Sequence, residues 1–271
     1  MKELRNEERR TFGMDFDSIN EFYTYLCETP LNEAFRWSEC SSQKQGSSFY
    51  GTNDFPEAVE LLKNGWHDMA GKLTKKLATK EKQVAPVMKQ RMQVGVAGFQ
   101  PVVARYLAGD PMSMMTMKNT PVKQKVINIT KSINYHGGTS TSEIEEESIK
   151  AMMIVKKLEA QGLRCNLYIA LGSDAGRQIF CRVKIKGANE RLNVSKLAFP
   201  MVHPSMLRRL FFRYIEVNKD VTKSFTDGYG RPIDFETMKK MYEDSIVLPA
   251  KFGYDASEIH SLDDLKSKLN V

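Results

Sequence analysis

The chain has 271 residues, of which 41% are hydrophobic and 27% are charged, and its formal net charge is +7 at pH 7. A chain of this size and composition can bury a large core, as one large domain or as two smaller ones. No apolar stretch approaches the roughly 20 residues that span a bilayer, and the first residues are charged, unlike a signal sequence. We therefore predict a cytoplasmic globular protein without a membrane partner.

The cysteine pattern argues against a disulfide framework and against a zinc site. The chain has four cysteines, and no two of them form a C-x-x-C pair. Cys165 and Cys181 fall on the predicted inward faces of two strands. Such cysteines are typical of small core residues in a reducing compartment.

Charge is unevenly distributed along the chain. Residues 1–70 contain 7 Lys and Arg against 13 Asp and Glu, whereas residues 71–140 contain 12 against 2. The basic belt, residues 71–131, is open to three interpretations: a solvated helix face, a surface for phosphate backbones, or a partner for the acidic N-terminal part of this chain or of a neighbouring copy. The candidate nucleic-acid-binding residues are Lys72, Lys75, Lys76, Lys80, Lys82, Lys89, Arg91, Arg182, Lys184 and Lys186.

Residues 1–119 are predicted to form a mainly helical N-terminal region with a basic second half. Asp17 or Ser18 can cap a first helix, residues 53–64 form a second, and residues 66–82 form a third. No internal repeat is present in this region or elsewhere in the chain.

Two stretches of this region lack a regular period. The polar residues 41–48 predict a mobile surface loop between the first two helices. Further on, Pro101 suits the first turn of a short helix that ends near Leu107. The methionines that follow, clustered in residues 112–117, either form an adaptable contact surface or fill irregular core space.

Residues 123–186 are predicted to form a strand, a helix and two further strands. Thr141 or Ser142 can cap the helix, Gly162 ends it, and its apolar residues recur at helical spacing. The two following strands alternate apolar and polar residues, and the link at 172–176 has the composition of a hairpin turn. We expect the second strand to run antiparallel at a sheet edge, where Lys and Arg side chains discourage edge pairing.

The remaining chain completes the fold-class prediction. Helices are expected at 204–216, 235–242 and 262–269, with a short strand that starts at Ser245. Residues 120–271 then form an α/β domain of order βαββαβ with a final helix, and helices cover both faces of its sheet. A ferredoxin-like α+β fold with one bare face has the same order and stays open as the alternative, because Arg and Lys side chains suit an exposed face.

Catalytic motifs are missing from the sequence. There is no GxSxG, HExxH or Walker motif, and the four histidines are scattered without a paired cysteine or carboxylate. His203 precedes a proline and a helix, which suits a role in starting that helix. We predict no catalytic residue and no cofactor, although a site assembled from distant residues would escape this reasoning.

The strand that ends in TKSIN, together with the order of elements and the predicted edge hairpin, resembles a von Willebrand factor A-type domain. That family ordinarily ends its first strand in an Asp-x-Ser-x-Ser metal-binding motif. Thr130, Ser132 and Asn134 occupy the corresponding positions here, so the resemblance implies a degenerate site without its anchoring carboxylate and without bound metal.

The segments GFQPVVARYLAGDP and LAFPMVHPSMLRRLFFRYIE are similar to parts of phage-encoded proteins that pair a helical N-terminal part with such a domain. The resemblance implies a non-catalytic interaction or adaptor protein in the host cytoplasm, which binds a protein partner or self-assembles through its A-type-like domain. The alternative is a nucleic-acid-binding accessory protein that uses the basic belt to bind DNA or RNA.

Overall fold

The computed structural model describes residues 2–6, 11–31, 41–80, 90–119, 125–173, 178–218, 229 and 231–250. Its strands are β1 (Lys2–Asn6), β2 (Thr11–Phe16), β3 (Gln90–Gly95), β4 (Gln100–Pro101), β5 (Met114–Asn119), β6 (Val126–Ser132), β7 (Arg164–Ser173), β8 (Gln178–Lys186) and β9 (Ser245–Leu248). Its helices are α1 (Ile19–Glu28), α2 (Ser47–Tyr50), α3 (Phe55–Asn64), α4 (His67–Lys80), α5 (Val103–Leu107), α6 (Thr141–Ala160), α7 (Val194–Val202), α8 (Phe212–Val217) and α9 (Phe235–Met241).

The main sheet has six strands in the order β1-β2-β8-β7-β6-β9. Strands β7 and β8 are antiparallel, as are β1 and β2, while the other neighbouring pairs are parallel. Helix α6 lies between β6 and β7 in the chain, and helices α7 to α9 lie between β8 and β9, so the predicted α/β class is confirmed. The last predicted helix, at 262–269, lies outside the described residues.

The N-terminal segment departs from the prediction, because it begins with two strands that join this sheet. In β2 the residues Phe12, Met14 and Phe16 alternate into the main core. Strand β2 pairs in parallel with β8, so β8 is an interior strand and the predicted sheet edge is wrong. Strand β2 is short and follows a charged stretch. Its few alternating apolar residues are not enough to distinguish a strand from a helix in the sequence.

Helix α6 packs against the main sheet as its apolar stripe predicts. Its cap is Ser140, one residue before the predicted Thr141, and Glu143 completes a capping box with it. Met152, Val155 and Leu158 are fully buried in the main core. The helix therefore covers one face of the sheet along its length.

The opposite face of the sheet carries a second, smaller apolar cluster. Helix α9 and the residues around it contribute to this cluster, together with β7, β8 and β9; its buried members are Ala170, Phe180, Ile233, Met238, Tyr242 and Val247. Both faces of the sheet are therefore covered in this region. The ferredoxin-like alternative, which needs one bare face, does not describe the molecule.

The polar residues 41–48 are not a loop throughout, because they contain a 3-10 turn, Ser41–Gln43, and the start of α2, and a buried arginine contacts them. Arg209 lies in a π-helical turn, Met206–Phe211, that leads into α8, and its side chain is fully buried. Its guanidinium donates to five backbone carbonyl oxygens, those of Ser42, Lys44, Gly46, Thr52 and Asn53. A buried guanidinium needs such acceptors, because its five N–H groups lose water on folding.

Residues 90–119, here called the 90–119 module, form a separate small sheet. Its strand order is β3-β5-β4, with antiparallel pairing throughout, and helix α5 lies between β4 and β5 in the chain. The short helix that Pro101 predicts is present as α5. None of the three strands of the module was predicted.

Candidate functional site

The basic face predicted on β8 is neutralised within the molecule at Arg182. Asp15 lies directly across from Arg182 in the β2–β8 register and accepts two hydrogen bonds from it, at 3.0 and 2.7 Å. Asp244 accepts a third at 2.7 Å, and the Tyr168 ring lies 4.6 Å from the guanidinium carbon. Arg182 is thus buried between two carboxylates and an aromatic face, a setting in which phosphate cannot reach it.

The other two cations of the predicted face point to different neighbours. Lys184 donates to Asp17 at 2.8 Å. A β-bulge between β7 and β8 shifts the register so that Lys186 lies opposite Leu167, on the side of helix α6. There the Lys186 ammonium donates to Glu159 at 2.5 Å and to the Cys165 carbonyl at 3.0 Å. Arg182, Lys184 and Lys186 therefore do not form one basic stripe.

Only some of the lysines in the basic belt are exposed and unpaired with a described carboxylate. Lys72 and Lys75 are exposed on α4, while Leu73 and Leu77 on the same helix are buried. Lys76 pairs with Glu145 of α6 at 2.6 Å. Lys82 and Lys89 lie outside the described residues, as do the side chains of Lys80 and Arg91.

Lys131 belongs to the interior, although it counts toward the basic belt in the sequence. Its ammonium donates to the Tyr135 hydroxyl at 2.7 Å and to Glu147 at 3.1 Å. Burial lowers the pKa of Lys131, but the Tyr135 and Glu147 oxygens outweigh burial and hold that pKa above its ordinary value. The residue is a buried, charged link between β6 and α6.

Two of the three residues at the degenerate metal-site positions, Ser132 and Asn134, hold backbone together, whereas the buried Thr130 hydroxyl has no hydrogen-bond partner among the described residues. The Asn134 amide donates to the carbonyls of Gly172 and Arg231, at 2.6 and 2.7 Å, and its oxygen accepts from the Gly172 N–H. Ser132 accepts from the Asn134 N–H, and Thr130 is fully buried. Across the described residues, no group of three or more His, Cys, Asp and Glu side chains is placed to hold a metal ion.

His203 is buried between aromatic rings at the start of the π-helical turn. Its ring stacks on Phe199 and meets Trp66 edge-on, and its Nδ1 accepts from the Ser205 N–H at 3.2 Å. Burial lowers the pKa of His203 to about 4. This neutral imidazole helps to start the next helical segment, and none of the hydrogen bonds found within the described residues joins it to a carboxylate or thiol of the kind that proton chemistry uses.

Exposed apolar side chains concentrate in the 90–119 module. Eight of the ten large hydrophobic side chains that are exposed in the described part of the chain belong to it: Met92, Val96, Phe99, Val103, Tyr106, Leu107, Met112 and Met117. The core-filling interpretation of the methionines is therefore wrong for Met112 and Met117. Soluble monomers seldom concentrate apolar surface in this way.

The strand register places several of these side chains on one face. Met92 lies across from Met117, and Val94 lies across from Met115, so the four share one side of the small sheet. On α5, Val103, Tyr106 and Leu107 follow the i, i+3, i+4 spacing of a single helix face. The module thus presents an apolar sheet face and an apolar helix face, and it does not bury these side chains in a core of its own.

The sequence does indicate this apolar surface, although no recognised motif marks it. Residues 92–117 carry many apolar side chains but neither strand alternation over a useful length nor a long helical period. An apolar segment that cannot build a long amphipathic element has little means of burying itself. Such a segment is a candidate contact surface.

Among the described residues, no helix is both long enough and apolar enough to cross a membrane. The family model described as "Domain of unknown function (DUF7192)" matches residues 4–270. No curated protein and no solved structure matches the chain.

Proposed function

The chain belongs to this domain family of unknown function, and we propose that it is a non-catalytic protein. It self-assembles through the 90–119 module. The proposal keeps the interaction role implied by the resemblance to phage-encoded proteins with a degenerate A-type domain, but moves the contact from the A-type-like residues 120–271 to the 90–119 module. It also keeps the cytoplasm as the compartment, in line with the unpaired thiols of Cys165 and Cys181.

The observation that carries the proposal is the exposure of apolar side chains in the module. Leu107 is 79% exposed and Met117 is 52% exposed. Folding of the 90–119 module costs conformational entropy. Burial of apolar surface is the main contribution that offsets this cost. Since the module buries few of its own apolar side chains, a second molecule is the natural source of that burial.

A second copy of this chain fits the strand arrangement. Strand β3 is an outer strand of the small sheet, so one of its two edges is not used in pairing with any described strand. Two β3 strands can pair antiparallel across a two-fold axis, which joins two three-stranded sheets into one. Such pairing brings Met92 and Met117 of both copies onto one continuous apolar face.

Sedimentation of matched variants tests the proposal. We expect the wild-type chain to be a dimer or larger at about 100 µM, a concentration suited to micromolar affinity. Met117→Glu is expected to release monomers, because a carboxylate on the apolar face loses its water on association. Val126→Glu is the control, since Val126 is also 52% exposed but lies outside the module.

A monomeric wild type at that concentration, or equal dissociation of both variants, would contradict the proposal. The second candidate function, nucleic-acid binding, has one observation in its favour, the exposed pair Lys72 and Lys75 on α4. It predicts binding to DNA or RNA that weakens steeply with salt and is lost in Lys72→Ala/Lys75→Ala. Binding of this kind by a monomeric chain would replace self-assembly as the function.

A further inference from the structure

A cleft of about 360 Å³ lies beside the end of strand β8. Its walls come from the start of α1, the junction of α3 and α4, the β8 end and the start of α7. Clefts that hold small molecules begin at about 300 Å³, so this one is large enough for a compact organic ligand. It is separate from the 90–119 module.

Cationic side chains from different elements converge on this cleft. Lys63 comes from α3, Lys184 from β8 and Lys196 from α7, and His67 stands at the start of α4. Lys186 also lines the cleft, but its ammonium is held by Glu159 and by backbone carbonyls. Three lysines and one histidine are therefore placed to meet an anion.

The carboxylates in the cleft are weak competitors for these cations. Asp17 pairs with Lys184 at 2.8 Å, but its side chain is 80% exposed. Glu190 lies 4.0 Å from Lys196, and both side chains are more than half exposed. Exposed ion pairs contribute little free energy, because water solvates both partners well. A dianion in the cleft can replace both carboxylates as the counter-ion.

The third lysine, Lys63, lines the cleft. Its ammonium lies over the Tyr23 ring, 4.4 Å from the centroid, and Tyr23 lies outside the cleft, so an anion in the cleft has to draw this flexible side chain inward. The cleft also has apolar lining, from Leu62, Ile185 and Phe199. A ligand with both an anionic group and a carbon skeleton matches this combination of lysines and apolar atoms.

We propose that this cleft binds a small organic phosphate, with Lys63, Lys184 and Lys196 around the phosphate group and the apolar lining against the carbon skeleton. Phosphate carries close to two negative charges at pH 7 and offers several strong acceptor oxygens. It can accept from more than one ammonium at once, which a single carboxylate does less well.

Calorimetric titration of the full-length chain with ribose 5-phosphate, ribose and inorganic phosphate tests the site. We expect saturable binding of ribose 5-phosphate with a Kd of about 1 mM or tighter, weaker binding of inorganic phosphate and none of ribose. Lys63→Met and Lys196→Met are each expected to weaken binding about tenfold, the usual worth of one charge-assisted contact. Both side chains are exposed, so the variants should keep the fold.

Lys150→Met is the matched control, because Lys150 is an exposed lysine on α6 outside the cleft. Unchanged affinity in this control, with loss in the two cleft variants, supports the site. No binding of ribose 5-phosphate at about 10 mM, equal binding of inorganic phosphate, or equal loss in Lys150→Met would overturn it. Because oligomeric state is measured separately, failure here leaves the self-assembly proposal standing, and the reverse is also true.

Discussion

At the scale of single residues, Arg182 shows how burial decides what a charged side chain does. Its guanidinium joins β2 to β9 across the sheet through Asp15 and Asp244, and Tyr168 and Tyr242 lie against it. Burial lowers the pKa of Arg182, but the hydrogen bonds and charges of the two carboxylates raise it above its ordinary value. The residue therefore stays charged and holds two distant parts of the chain together.

Replacement of Arg182 by methionine leaves two carboxylates without their cation. We expect Arg182→Met to lower the free energy of unfolding by about 3 to 5 kcal/mol, the range for breaking a buried pair. Lys184→Met serves as the comparison, because the Asp17 carboxylate is exposed, and should cost at most about 1 kcal/mol. Urea denaturation of both variants measures the difference. Equal costs would show that Arg182 is not held as described.

The role of β8 could not be predicted from its residues alone. The alternation along β8 correctly indicates which side chains enter the core, including Cys181 and Val183. The acids that neutralise Arg182 are distant from it in the sequence. The pairing of Asp15 with Arg182 cannot be predicted until the order of strands in the sheet is known. The bulge that turns Lys186 toward α6 has no marker such as glycine.

At the scale of elements, periodicity was most reliable where an element is long, although the short elements α5 and β9 were also predicted from the sequence. Helix α6 and strands β7 and β8 were predicted because each carries an apolar pattern over nine or more residues. Strands β1, β2, β3 and β5 have five or six residues each, and β4 has two. Their identity depends on partners that only the folded chain supplies.

Two glycines make a matched test of the 90–119 module as an element. A Cβ at Gly98 would lie 1.9 Å from the Met115 carbonyl oxygen, whereas a Cβ at Gly71 in α4 meets no atom within 4 Å. Gly98→Ala should therefore disrupt β4–β5 pairing and weaken self-association. Gly71→Ala should leave association unchanged and stabilise the fold by about 0.5 to 1 kcal/mol, because alanine favours helix.

Thermal denaturation and sedimentation of these two variants provide the measurements. The main sheet is expected to keep its melting temperature in Gly98→Ala, since the exposed apolar side chains of the module add nothing to the main core. If Gly98→Ala associates as the wild type does, the module geometry does not support the contact.

At the scale of the whole molecule, the chain combines a well-packed sheet with a module that is apolar and exposed. The main core takes in side chains from β2 and α1 at the N-terminal end through to β9 near residue 248. Several charged side chains on β6, β8 and α6 form ion pairs within the molecule. In the described part of the chain, exposed apolar side chains concentrate at residues 90–119, which is why we propose contact with a second copy.

Amide hydrogen exchange of the wild-type chain at low and high protein concentration is the most direct measurement of this contact. Self-assembly through β3 predicts that every second amide of Gln90–Gly95, those directed away from β5, exchanges more slowly as concentration rises, because the free edge of the strand becomes hydrogen-bonded in the dimer. The same amides should show no concentration dependence in Met117→Glu. Exchange of Gln90–Gly95 that is independent of concentration in the wild type would contradict the account.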